Sequence, residues 1–166
     1  MKIIIIVEGE TEKAFMPHLR EFLKTRLDKK MPKLDSHLCH GRIPTDSKLK
    51  RIVEKYLIES KNKVDAVIAL SDVYTGTGEF EGAQDAKQKM RQWVGNDTRF
   101  HPHVALHDFE AWLLPYWKEI QSLAGHNRSA PDSPERINHN KPPAYLISEV
   151  FRTGNKGRDR KRDASR

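Results

Sequence analysis

The chain opens on Lys2–Val7, a continuous apolar run of β-branched residues, the pattern of a strand covered on both faces. From Glu10 to Arg26 the period changes. Ala14, Phe15, Leu19, Phe22, Leu23 and Leu27 recur at helical intervals, predicting an amphipathic helix. Ser36–Gly41 reads as a short strand ending in glycine. Asp46 suits the cap of a following helix whose apolar face is Leu49, Ile52, Val53, Tyr56 and Leu57. Val64–Leu70 repeats the buried-strand pattern, and 76–82 is a glycine-rich loop. Ala83–Val94 is predicted helical, Phe100–Leu106 a strand and Asp108–Tyr116 a helix with Trp112 and Leu113 in its core face. Asn127–Pro143, rich in Pro, Asn and Ser, is expected to wrap the surface, with a short helix near Pro134–Ile137 started by Ser133; Ala144–Phe151 reads as a last helix.

Strands alternating with helices point to βαβ units and the α/β class: a single Rossmann-like domain with a mostly parallel central sheet flanked by helices. No repeat or second-domain linker interrupts the pattern. The domain is expected over 1–151, with 152–166 as a basic tail.

Composition agrees with a soluble domain. Of the 166 residues 37% are hydrophobic and 32% charged, enough for a real core under a wet surface. No apolar stretch reaches bilayer length, and the Ile3–Val7 run, followed directly by Glu8, is too short for a signal-peptide core. One cysteine, Cys39, excludes an internal disulfide and a thiolate zinc site, and suits a reducing cytoplasm. The formal charge of +7 is uneven: seven Lys and Arg against Asp159 and Asp163 put five of those charges into Arg152–Arg166. Such a tail favours a polyanion such as nucleic acid, or is simply a solvated terminus.

The chemistry-bearing pattern is acidic. In an open parallel sheet ligands bind at the carboxyl ends of strands, and three segments put acids there. Glu8 leaves the first strand, Gly9 permits the turn, and Glu12 lies four residues on. Asp72 leaves the second buried strand; Asp108 and Glu110 follow a third. Converging carboxylates resist desolvation, and a hard divalent cation, Mg²⁺ or Mn²⁺, relieves that cost. Each acid also has a structural reading: Glu10 and Glu12 favour a helix N-terminus, Asp72 a turn, Asp108 a cap with Glu110 in the first turn. Glu79 and Glu81 read as solvated. His37, His40, His101, His103 and His139 show no ligand spacing, and Thr75-Gly76-Thr77-Gly78 lacks the ending of a phosphate loop.

Ile3-Ile4-Ile5-Ile6-Val7-Glu8-Gly9-Glu10-Thr11-Glu12 resembles the opening of TOPRIM domains, and Val67-Ile68-Ala69-Leu70-Ser71-Asp72 the strand carrying that family's first DxD aspartate. His107-Asp108-Phe109-Glu110-Ala111-Trp112-Leu113-Leu114 resembles a segment of a TOPRIM-like family catalogued as domain of unknown function 4276, as do Ile137-Asn138 and Pro142-Pro143. The resemblance covers nearly the whole chain. It implies Glu8 as metal ligand or general acid/base, Glu12 as the second acid of the nuclease-like branch and Asp72 as the first DxD aspartate, and it matches Glu110 and His107 to the family's own segment; a nuclease would hold Mg²⁺ or Mn²⁺ on Glu8, Glu12 and Asp72, with Glu110 as an added ligand or water-orienting group and His107 positioning phosphate or shuttling a proton. The resemblance further implies phosphodiester chemistry on nucleic acid, within bacterial or phage-defence systems that often include an ATPase partner.

Two departures stand out. Tyr74 occupies the second DxD position, which favours one well-held ion over two. Arg158–Arg166 looks like the start of a helix cut short. Three readings follow: a metal-dependent nuclease using Glu8, Glu12, Asp72, Glu110 and His107; a regulatory subunit that docks on an ATPase without turnover; and a basic nucleic-acid binder acting through Arg158–Arg166.

Overall fold

A computed structural model of the protein describes residues 1–59, 64–74, 78–133, 136–137 and 140–154. The order of elements is β1 Lys2–Val7, α1 Glu10–Arg26, β2 Lys33–Leu38, α2 Asp46–Glu54 running into a π-helical turn Lys55–Glu59, β3 Ala66–Asp72, α3 Ala83–Val94, β4 Phe100–Ala105, a 3₁₀ helix Phe109–Tyr116, α4 Trp117–Ala124 and α5 Pro143–Thr153. The four described strands form one all-parallel sheet in the order β2-β1-β3-β4. This is the expected α/β architecture.

The period-2 geometry of the strands divides the core. Ile4, Ile6, Val67, Ala69 and Phe100 face α2 and α3, where Leu49, Val53, Ala86, Met90 and Val94 complete the larger cluster. Ile5, Val7 and Leu34 face Met16 of α1 in the other. Beside it an apolar cleft of about 240 Å³ is lined partly by Phe15, Leu19, Leu70 and Trp112. A third cluster joins Leu114, Trp117, Ile120 and Ala124 to Val150 of α5.

Several boundaries differ from the sequence expectation. β2 begins at Lys33 rather than Ser36, because its ladder with β1 pairs Lys2 with Lys33 through Val7 with Leu38. Gly41 belongs instead to a rim turn, where its N–H donates to the Glu8 carbonyl at 2.9 Å. β3 starts and ends two residues later than read, so Asp72 is its last residue, paired in register with Ala105. Helix α2 begins at Asp46, with Thr45 in the cap position. In α1 it is Met16 and Glu12 that are buried, while Phe22 and Leu27 are exposed. The segment Phe109–Tyr116 is 3₁₀ rather than α-helical, and Trp112 and Leu113, expected in the core, are exposed at 47% and 38%. The last helix runs Pro143–Thr153, so Arg152, counted with the tail, is helical. Thr75–Thr77, Pro134, Glu135, Asn138, His139 and the tail from Asn155 lie outside the described residues. Among the described residues no helix is long and apolar enough to cross a membrane.

Candidate functional site

The strand order reverses direction between β1 and β3: the chain steps one way to β2 and the other way to β3 and β4. At such a switch point the carboxyl ends of neighbouring strands open a crevice. Glu8 and Asp72 stand there.

Glu8 follows β1 directly, and the register Val7 with Leu70 brings it opposite the end of β3. Its Oε1 accepts from the Ser71 hydroxyl at 2.7 Å and from the Asp72 main-chain N–H at 3.1 Å. The Ile43 N–H, from the loop after β2, also bonds to it. One carboxylate thus ties three strand ends together. Burial raises its pKa; these hydrogen bonds oppose the rise, and Glu12 adds to it.

Glu12 is 5% exposed. Its Oε2 accepts from the Gly9 N–H at 3.1 Å, the return half of a capping box that closes the first turn of α1. A Cβ on residue 9 would stand 3.3 Å from that oxygen, so glycine lets the carboxylate fold back.

Asp72 carries the strongest perturbation. Burial, then the negative fields of Glu8, Glu12, Asp108 and Glu110, push its pKa up to about 8. Glu110 is also raised, by burial and by Asp108 and Glu12, against hydrogen bonding from its own main chain and from Thr11. Glu8, Glu12, Asp72 and Glu110, drawn from three distant segments, therefore share one electrostatic environment. Among the described residues none of these four, nor Asp108, forms an ion pair with Lys or Arg. The cation beside them, Arg42, lines the same small recess as Glu8 and Asp72 but pairs with Glu79 at 2.6 Å. Glu79, expected to be solvated, is held by that pair.

Asp108 does more than cap. It is 2% exposed and its oxygens are engaged by protein donors: Oδ1 by the Ala111 N–H at 3.1 Å, Oδ2 by the Tyr74 hydroxyl at 2.9 Å and the Ala144 N–H at 3.1 Å. It cross-links the loop after β3, the 3₁₀ helix and the start of α5. Burial and this partner raise the Tyr74 phenol. The residue that replaces an acid in the DxD pattern is thus a donor to a buried acid. His107, also buried, donates from Nδ1 to the Ile137 carbonyl and lies parallel to the Tyr74 ring, with centroids 6.2 Å apart.

The oxygen donors suit Mg²⁺ or Mn²⁺ in kind. Among the described residues, however, no group of three or more His, Cys, Asp or Glu is spaced to hold a metal ion. Glu8 Oε1, Glu12 Oε2 and the Asp108 oxygens are turned to protein donors. The roles of Ser71, Tyr74 and the Asp72 and Ala144 N–H groups are not legible in the sequence, because each acts on an acid at least 34 residues away.

The model of the family described as Domain of unknown function (DUF4276) matches residues 7–166, from the last residue of β1 to the end of the chain. The protein belongs to this family. No curated protein and no solved structure matches it. The matched span contains Glu8, Glu12, Asp72, His107 and Glu110, so every residue of the acidic rim lies within the family domain.

Proposed function

We propose that this domain is a TOPRIM-like, metal-dependent phosphodiester-processing domain, a nuclease whose acidic rim takes Mg²⁺ or Mn²⁺. The supporting observation is the set of acids, without ion-pair partners among the described residues, gathered around Asp72, whose carboxyl burial and then these four neighbours push up to about 8. Asp72, Glu8 and Glu12 would hold the ion, with Glu110 beside them. When bound, such an ion neutralises phosphate charge and lowers the pKa of a water. The chain's own residues do the rest. Ser71 and the Asp72 N–H fix the Glu8 carboxylate, leaving it aimed by the sheet. The Nδ1 hydrogen bond to the Ile137 carbonyl holds the His107 ring in place beside Tyr74. A cytoplasmic setting suits the half-buried Cys39, whose thiol burial and Glu8 push up to about 11, far from thiolate reactivity.

A second reading is a non-catalytic subunit that binds an ATPase partner within a defence system. It is favoured by the absence, among the described residues, of a preassembled ligand set, and by the saturation of Asp108. Incubation with DNA and RNA in Mn²⁺ separates the two. Cleavage by the wild type, lost in Glu8→Gln, supports the nuclease; equal products from both proteins, or none from either, refute it.

A further inference from the structure

Outside the acidic rim, the α3–β4 side of the molecule has a different chemistry. A shallow groove of about 460 Å³ runs along α3, lined by Lys87 and Arg91, by the amides of Gln84, Gln88, Gln92 and Asn96, and by Gly95. None of its lining residues is acidic. The two acids closest in sequence are already neutralised: Asp85 by Lys89 at 2.8 Å and Asp97 by Arg99 at 2.6 Å. Lys87 and Arg91 are one turn apart and so share a helix face. Neither has an ion-pair partner among the described residues. Beside them β4 is the edge strand, and its His101 and His103 alternate to the α1 side of the sheet, where His103 lines the apolar cleft, so they are not part of the groove.

The topology aims this surface. β3 ends at the rim, and α3 returns from there antiparallel to the strands, so Gln84 and Lys87 lie near the acidic end and Asn96 near the far edge. A chain laid along the groove would lead to Asp72. Cations attract phosphates without regard to sequence, and side-chain amides bond to phosphate and sugar oxygens.

We propose that this groove is a docking track for the backbone of a nucleic acid, with Lys87 and Arg91 as phosphate anchors. The inference rests on the phosphodiester reading and names the substrate class that reaches the rim. It differs from binding through the terminal tail, because its anchors are built into α3.

Binding of a short fluorescein-labelled single-stranded DNA and its RNA counterpart, followed by anisotropy in EDTA over a salt series, tests it without turnover. The full chain is compared with the Lys87→Gln/Arg91→Gln and Lys29→Gln/Lys30→Gln double variants. The second pair removes equal charge from an exposed turn after α1. Losing two phosphate contacts makes the slope of log K against log salt shallower by about 1.4. The expected result is that loss in Lys87→Gln/Arg91→Gln alone. Unchanged slope in the α3 variant, an equal loss in the control, or no binding by the wild type overturns the inference. Cleavage is read separately, so a protein that binds here and never cuts retains the track and loses the nuclease.

Discussion

The Glu8 carboxylate accepts a hydrogen bond from the main-chain N–H of Asp72 at 3.1 Å, across 64 residues of sequence. The bond exists because β1 and β3 are parallel neighbours ending at one edge, and it seats two acids side by side at the switch point. Burial and then Glu8 raise the cost of ionising Asp72, while burial and Glu12 raise that of Glu8. A site of this kind stores unfavourable charge that a cation relieves.

That stored charge makes metal-free stability depend on pH. Asp72 rises from 3.8 to about 8 on folding. The folded protein then holds a proton that the unfolded chain has released, so stability falls as pH rises from about 4 to about 8 and levels above that. The total loss is on the order of a few kcal/mol. Asp72→Asn removes the ionisation. Thermal melts in EDTA are expected to show the variant more stable than wild type at pH 8, with the difference shrinking toward pH 5. A variant less stable than wild type at pH 8 contradicts the account.

Tyr74 and Asp108 form a separate, structural element. Tyr74→Phe leaves Asp108 Oδ2 with the Ala144 N–H but without its hydroxyl donor. Removing a donor to a buried carboxylate costs roughly 1–3 kcal/mol. Urea unfolding is the measurement, and a midpoint equal to wild type would show that the bond contributes nothing.

Gly154 closes the last helix against α4. A Cβ there would stand 2.1 Å from the Ala124 carbonyl oxygen, a main-chain atom that cannot step aside. Gly154→Ala is expected to lower stability by about 1–3 kcal/mol through forced displacement of α5. A thermal midpoint at the wild-type value would mean that α5 shifts freely.

β1, β3 and most helices were legible because parallel strands covered on both faces demand continuous apolar runs and surface helices a 3.6 period, whereas β2, with Lys33, Asp35, Ser36 and His37, carries no such run and begins three residues before its expected start. Lys2–Val7, Glu10–Arg26 and Ala83–Val94 carry these patterns, and their bounds agree. Helix α4 was missed although Trp117, Ile120 and Ala124 have helical spacing, because Pro115 interrupts the run that leads into it. The acids of the rim were readable for a simple reason: each leaves, or closely follows, a strand end, and parallel strands bring those ends together. Their hydrogen-bond partners were not. Ser71 reaches Glu8 across 63 residues and Tyr74 reaches Asp108 across 34, relationships set by register and loop geometry. The buried place of Glu12 was equally hidden, since its spacing fits a solvated helix start as well as the carboxylate turned back to the Gly9 N–H.

Calorimetric titration of Mn²⁺ into the wild type and Asp72→Asn at pH 8 bears most directly on the shared-cation site. The wild type is expected to bind one ion per chain with release of protons, because the carboxyl at about 8 is partly protonated there. Asp72→Asn is expected to lose that heat. Equal binding by the two proteins, or no binding by the wild type, would contradict a cation held at this rim.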